Sequence, residues 1–95
     1  MTDVGVKHDN GKIQPSLLSA IAIEELCKVL TYGANKYAAD NWMKIQAKRY
    51  EDALIRHYIA WKKGEKCDGE SGLSHLSHMF ANVMFLLHKE LETYE

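Results

Sequence analysis

Apolar positions along this chain recur at intervals of three and four residues, the period of helices that each lay one face on a core. The first run predicts a helix from about Pro15-Ser16 to Tyr32, with Ser16 as its cap and Gly33 as its stop. Leu18, Ala22, Leu26, Val29 and Leu30 form its inner face; Glu25 falls inside that stripe, whereas Glu24 points to one side. A second helix is predicted from Gln46 to Lys63, ended by Gly64, with Tyr50, Ala53, Leu54, His57, Tyr58 and Trp61 facing inward. Ile55 and Ile59 lie on its opposite side, so this helix is apolar in two directions. The stretch from Asp68 to His78 runs from a turn into the N-terminus of a third helix, which continues through Leu87 and frays beyond it. On a wheel of about 100° per residue, Ser71, His75, His78 and Asn82 form a polar stripe bordering the core, next to an apolar face of Leu73, Leu76, Phe80, Val83 and Leu87. No strand alternation, internal repeat or low-complexity tract interrupts the pattern. The fold class is all-α: three main helices with ordered loops.

Outside the helices the polarity changes character. Residues 1–14 are polar, with Gly5, Gly11 and a charged run through Lys7, His8, Asp9 and Lys12, and they read as an arm or loop. The segment from Gly33 to Trp42 is too short and mixed for a long helix, and reads as a helical turn followed by a loop.

Ninety-five residues make one domain. A chain of this size buries only about 60–65% of its unfolded surface, so its core is modest and a homo-oligomer is expected. Twelve basic and thirteen acidic residues give a net charge of -1, against the basic face that duplex nucleic acid requires. Cys27 and Cys67 make no disulfide framework, and no apolar run approaches the roughly 20 residues of a membrane span. A soluble protein of the cytoplasm is expected.

The stretch from Asp68 to His78 carries the densest chemistry: two carboxylates, a hydroxyl and two imidazoles at a predicted helix start, where free N–H groups favour anions such as phosphate. Each of these residues alone also fits a structural role, as a cap or a hydrogen-bonded histidine. Elsewhere Lys12, Lys36 and Arg56 are cations suited to phosphate, and Tyr37, Asn41 and Trp42 add two aromatic faces and an amide for a base. Tyr37 and Trp42 serve equally well as covers for the core, and His57 as a core histidine. The His8-Asp9 pair lies beside glycine and asparagine, not on a helix among further histidines as in His-Asp metal phosphohydrolases.

With these residues assembled, the chain resembles the phage and bacterial family called dATP/dGTP diphosphohydrolase N-terminal domain. The matching motifs are His8-Asp9-x-Gly11-Lys12, Tyr32-Gly33-Ala34-x-Lys36-Tyr37, Asn41-Trp42, Ala53-Leu54-x-Arg56-His57, Trp61-x-x-Gly64-Glu65 and Asp68-x-Glu70-Ser71-Gly72-x-x-His75-Leu76-x-His78. The resemblance implies a fold similar to the MazG-like nucleotide pyrophosphohydrolases, oligomers that use magnesium to cleave nucleoside triphosphates to monophosphate and pyrophosphate. That group carries Glu-x-x-Glu and Glu-x-x-Asp on consecutive helices, whereas this chain has the adjacent pairs Glu24-Glu25 and Glu51-Asp52. Adjacent helical residues point about 100° apart, so the expected divalent-ion site is instead built from Glu25, Asp68 and Glu70 together with His75 and His78, the oxygen ligands favouring magnesium or manganese and the imidazoles tolerating manganese or zinc.

Two functions fit this reading. In the first, the chain is a magnesium-dependent hydrolase of purine nucleoside triphosphates. His57, His75 and His78 then orient water or the leaving group, and Lys12, Lys36, Tyr37, Asn41, Trp42, Arg56, Ser71 and Asn82 hold the nucleotide. In the second, it sequesters a linear or cyclic nucleotide without turnover, as a sponge countering host defence signalling.

Overall fold

The structure, a computed structural model, describes residues 5, 6 and 8–93. These form three helices, α1 (Ala20–Lys36), α2 (Ala47–Lys62) and α3 (His75–Thr93), with short 3-10 turns at Pro15–Leu17 and Asn41–Lys44. No strand occurs among the described residues; an isolated antiparallel bridge joins Cys67 to Ser74. The fold is therefore all-α. Lys7 and the first four residues of the expected arm lie outside the described residues, and what is described of positions 5–14 is exposed turn and coil.

α1 begins later and ends later than its periodicity predicts. Proline at the start of Pro15–Leu17 sets a 3-10 turn, and Leu18 is then extended, so the helix restarts at Ser19, whose Oγ accepts the Ala22 N–H at 3.1 Å. Ser16 is thus not its cap. Nor is Gly33 its stop: only Gly11, Gly64 and Gly72 take the positive φ by which a glycine ends a helix, and α1 passes through Gly33 to Lys36. α2 matches its expected limits, with Gln46 and Lys63 as flanking caps and Gly64 at φ +103°.

Residues 66–75 fold into a closed turn that displaces the start of α3 to His75. Asp68 Oδ2 accepts the N–H groups of Glu70 (3.1 Å) and Ser71 (2.9 Å), and the Asp68 N–H donates to the Leu73 carbonyl at 2.8 Å. Gly72, at φ +74°, lets its N–H return to the Asp68 carbonyl at 2.9 Å. Ser74 caps the helix, its Oγ accepting the Leu76 N–H at 3.1 Å. Asp68 and Glu70 are consequently turn residues and not part of a helix N-terminus. At its other end α3 continues to Thr93 without the expected fraying.

α3 is the central element, with α1 and α2 packed on it. Leu26 and Val29 of α1 bury against Ala81 of α3, with Leu30, Leu73, Met84 and Phe85 packed around them. On the other side Phe85 meets the Tyr50 ring of α2 at 4.7 Å. The two faces of α3 are therefore reversed relative to the wheel. His75, Ser77 and Asn82 are buried, whereas Leu76, Phe80, Val83 and Leu87 lie 38–50% exposed. The physical reason is the small Ala81 on the flank of the polar stripe, which lets α1 approach there while His75 and His78 find partners inside. On α2, Tyr58 and Trp61 are exposed along with Ile55 and Ile59. Leu18 falls outside α1 and is exposed.

Candidate active site

Between α1 and α2, floored by α3, lies an open cleft of about 840 Å³. Its walls come from the C-terminal half of α1, the link through Asn41–Lys44 and the N-terminal half of α2. Lys36, Arg49 and Arg56 supply cations, Tyr32 and Tyr37 aromatic rings, and Asn41 and Asn82 amides. Lys36 Nζ pairs with Glu70 Oε1 at 2.5 Å and lies 5.2 Å from the centre of the Tyr37 ring. The Glu70 carboxylate beside it raises the Lys36 pKa, and Lys36 in turn lowers that of Glu70.

At the base of the cleft three imidazoles converge. His57 of α2 stacks on His78 of α3 with centroids 4.6 Å apart and planes within 5°. His57 Nδ1 lies 2.8 Å from Nδ1 of the buried His75, and His75 Nε2 lies 2.7 Å from Glu65 Oε1. His78 Nε2 shares a 2.6 Å hydrogen bond with Ser71 Oγ, and the Tyr32 ring meets the His78 ring edge-on. Burial lowers the pKa of His57, and the neighbouring His78 and His75 push it the same way. Burial likewise lowers that of His78. Both shifts favour the uncharged ring. Burial acts to raise the Asp68 pKa, but its hydrogen bonds from Ser71 and Glu70 outweigh this and keep it low.

Of the residues singled out from the sequence, Lys36, Tyr37, Asn41, Trp42, Arg56, His57, Glu70, His78 and Asn82 line this one cleft. His75 and Ser71 stand directly behind it, bonded to His57 and His78. Trp42 is also a packing residue: its ring stacks on Phe85 at 5.0 Å, and its carbonyl accepts the Tyr50 hydroxyl. Lys12 lies apart, in a shallow depression with Asp9 and Ser16. Glu25 is not brought to the cleft; it pairs with Lys28 one turn along α1 at 2.6 Å. Among the described residues, the His, Cys, Asp or Glu ligand atoms that gather within 4.8 Å belong to His57, Asp68 and His75, not to Glu25, Asp68 and Glu70. Sequence reasoning passed over Glu65, Tyr32 and Arg49. Tyr32 and Glu65 lie in motifs that carry the family resemblance, but no helical period links Glu65 to His75, because the closed turn between them brings the two together.

The sequence pattern of the family described as "dATP/dGTP diphosphohydrolase, N-terminal" matches residues 2–95. A protein of Salmonella phage PMBT28 named dATP/dGTP diphosphohydrolase is 37% identical over 82 residues, covering 86% of this chain. The chain spans 28% of that relative's length. No solved structure matches. The match over nearly the whole chain places this protein in the dATP/dGTP diphosphohydrolase N-terminal family.

Proposed function

We propose that the cleft binds a purine deoxynucleoside triphosphate and that the chain is the nucleotide-binding domain of a dATP/dGTP diphosphohydrolase, releasing monophosphate and pyrophosphate. The observation that carries this reading is the composition of one 840 Å³ cleft, within the range of about 300–1,000 Å³ in which small-molecule sites fall. Lys36, Arg49 and Arg56 give it three cations for phosphate oxygens. Tyr37, 65% exposed, offers a free ring face for the base, while Asn41 and Asn82 offer paired donors and acceptors for its edge. A neutral imidazole at His57 or His78 accepts a proton from the attacking water, a role that the lowered pKa of each ring supports. The phage relative's name supplies the substrate class.

Magnesium, the ion implied by the MazG-like resemblance, takes oxygen ligands. The donors that converge beside the cleft are two nitrogens and one carboxylate, a set that does not suit it. The carboxylates that line the cleft, Glu70 and Asp52, are paired with Lys36 and Lys48. That pairing favours a second reading, in which the cleft retains a linear or cyclic nucleotide without cleaving it. In both readings the chain assembles with copies of itself, covering the apolar surfaces of α2 and α3.

Chromatography of dATP, dGTP, dCTP and dTTP incubated with the protein and divalent metal separates these readings. Purine monophosphate and pyrophosphate are the expected products; unchanged nucleotide held tightly by the protein selects sequestration, and neither turnover nor binding overturns the first reading. In calorimetry with dATP, Arg56→Ala is expected to weaken binding more at low salt than at high salt. Tyr37→Ala should cost about 1–3 kcal/mol at both, the range found for base stacking. Parent-like binding by both variants places the nucleotide elsewhere.

A further inference from the structure

His57, His75 and Asp68 come from α2, the first position of α3 and the closed turn, and their ligand-type atoms gather within 4.8 Å. Two imidazole Nδ1 atoms facing one another at 2.8 Å share a single hydrogen. Glu65 decides which ring keeps its own. A carboxylate accepts, so His75 carries its hydrogen on Nε2, toward Glu65 Oε1 at 2.7 Å. In the neutral pair the His75 Nδ1 lone pair therefore faces inward and accepts from the Nδ1–H of His57. A carboxylate behind an imidazole is the arrangement that orients histidines on metal ions. Asp68 is braced in the same way, its Oδ2 fixed by two backbone N–H groups of its own turn.

We propose that His57 Nδ1, His75 Nδ1 and a carboxylate oxygen of Asp68 form a binding site for one divalent first-row transition-metal ion in the wall of the cleft. Nitrogen ligands at about 2.0–2.1 Å from an ion stand roughly 3.0–3.3 Å apart. The present 2.8 Å separation therefore needs to open by only a few tenths of an ångström. Binding displaces the shared hydrogen from His57 Nδ1 to its Nε2 through solvent, with no net proton released. Imidazole nitrogen favours zinc, iron, copper or nickel over magnesium. Of the three ligands, His57 lines the cleft. The site rests on these three side chains and their supports, so it stands or fails independently of the nucleotide reading.

The test contains no nucleotide. Protein dialysed against a chelator is titrated with Co²⁺ and followed by visible absorption and calorimetry. One Co²⁺ per chain is expected, displaced by Zn²⁺ and retained in a large excess of Mg²⁺. His57→Ala and Asp68→Asn should each weaken binding at least tenfold, and Glu65→Gln about 10–100-fold, as for other supports of metal-bound histidine. His88→Ala, distant from the three ligands in sequence and bonded to Glu92, should bind as the parent does. In the unaltered chain, long-range ¹H–¹⁵N spectra with one equivalent of Zn²⁺ should move Nδ1 of His57 and His75 to metal-bound positions and leave His8 and His88 in place. Absence of stoichiometric binding, displacement by equimolar Mg²⁺, parent-like affinity in Asp68→Asn, or zinc on other imidazoles overturns the proposal.

Discussion

The hydroxyl of Ser71 joins the closed turn to the histidine cluster. Its oxygen accepts the Leu73 N–H at 3.1 Å and meets His78 Nε2 at 2.6 Å, so its removal leaves two half-buried polar groups without that partner. Unsatisfied groups of this kind cost about 1–3 kcal/mol. Ser71→Ala should therefore lower the denaturant midpoint by a corresponding amount with an unchanged slope; a loss under about 0.5 kcal/mol, the scale of ordinary surface changes, shows that water replaces the hydroxyl. The seven-residue spacing of Ser71 and His78 was visible as one stripe on the helical wheel. The bond between them is made differently, because Ser71 stands outside α3 and reaches it through the fold of the turn. The Glu65 to His75 contact had no such signal, since it depends on a chain reversal that no periodicity records.

At the scale of the elements, α1 contains a glycine that neither ends nor bends it. Gly33 lies in helical backbone, and a Cβ built there meets no other atom within 4 Å. Gly33→Ala thus removes the entropic cost of glycine in a helix without a clash. It should stabilise the free protein by about 0.4–1 kcal/mol in thermal or chemical unfolding. Destabilisation instead would show that something approaches the bare backbone at this point of the cleft wall. The same helix shows how far stop signals reach. Glycine ends a helix when it adopts the left-handed region, as Gly64 does after α2. At Gly33 the helix gains more by continuing to Lys36, whose ammonium ties its end to Glu70. The N-terminal limit of α3 moved for a comparable reason: the side chain of Asp68 satisfies the N–H groups of its own turn, so the helix begins only after that turn has closed.

For the whole molecule, the radius of gyration is 17.0 Å, against about 12 Å for a compact domain of this length. Leu76, Phe80, Val83, Leu87 and Leu91 of α3 are left at least 38% exposed. Ile55 and Ile59 of α2 are about half exposed as well. A stripe of this extent in water favours association. Light scattering at micromolar concentration is expected to give a homo-oligomer, and Ile59→Asp to shift it toward smaller species with its helical content retained. A well-folded monomer of the parent chain removes this expectation. Among the described residues, no helix is long and apolar enough to cross a membrane.

By itself the sequence determined that the chain is all-α and where α2 begins and ends, because these depend on local period and turn residues. Its motifs were also sufficient for the family. What only the tertiary structure decided is which face of α3 turns inward and which donors meet. A helical wheel ranks faces by hydrophobicity alone, but burial went to the face with the small Ala81, where His75 and His78 find partners. Glu25 and Asp68 were equivalent as carboxylates in the sequence. Folding separated them, because α1 presents Glu25 to Lys28 while the closed turn carries Asp68 to His57 and His75.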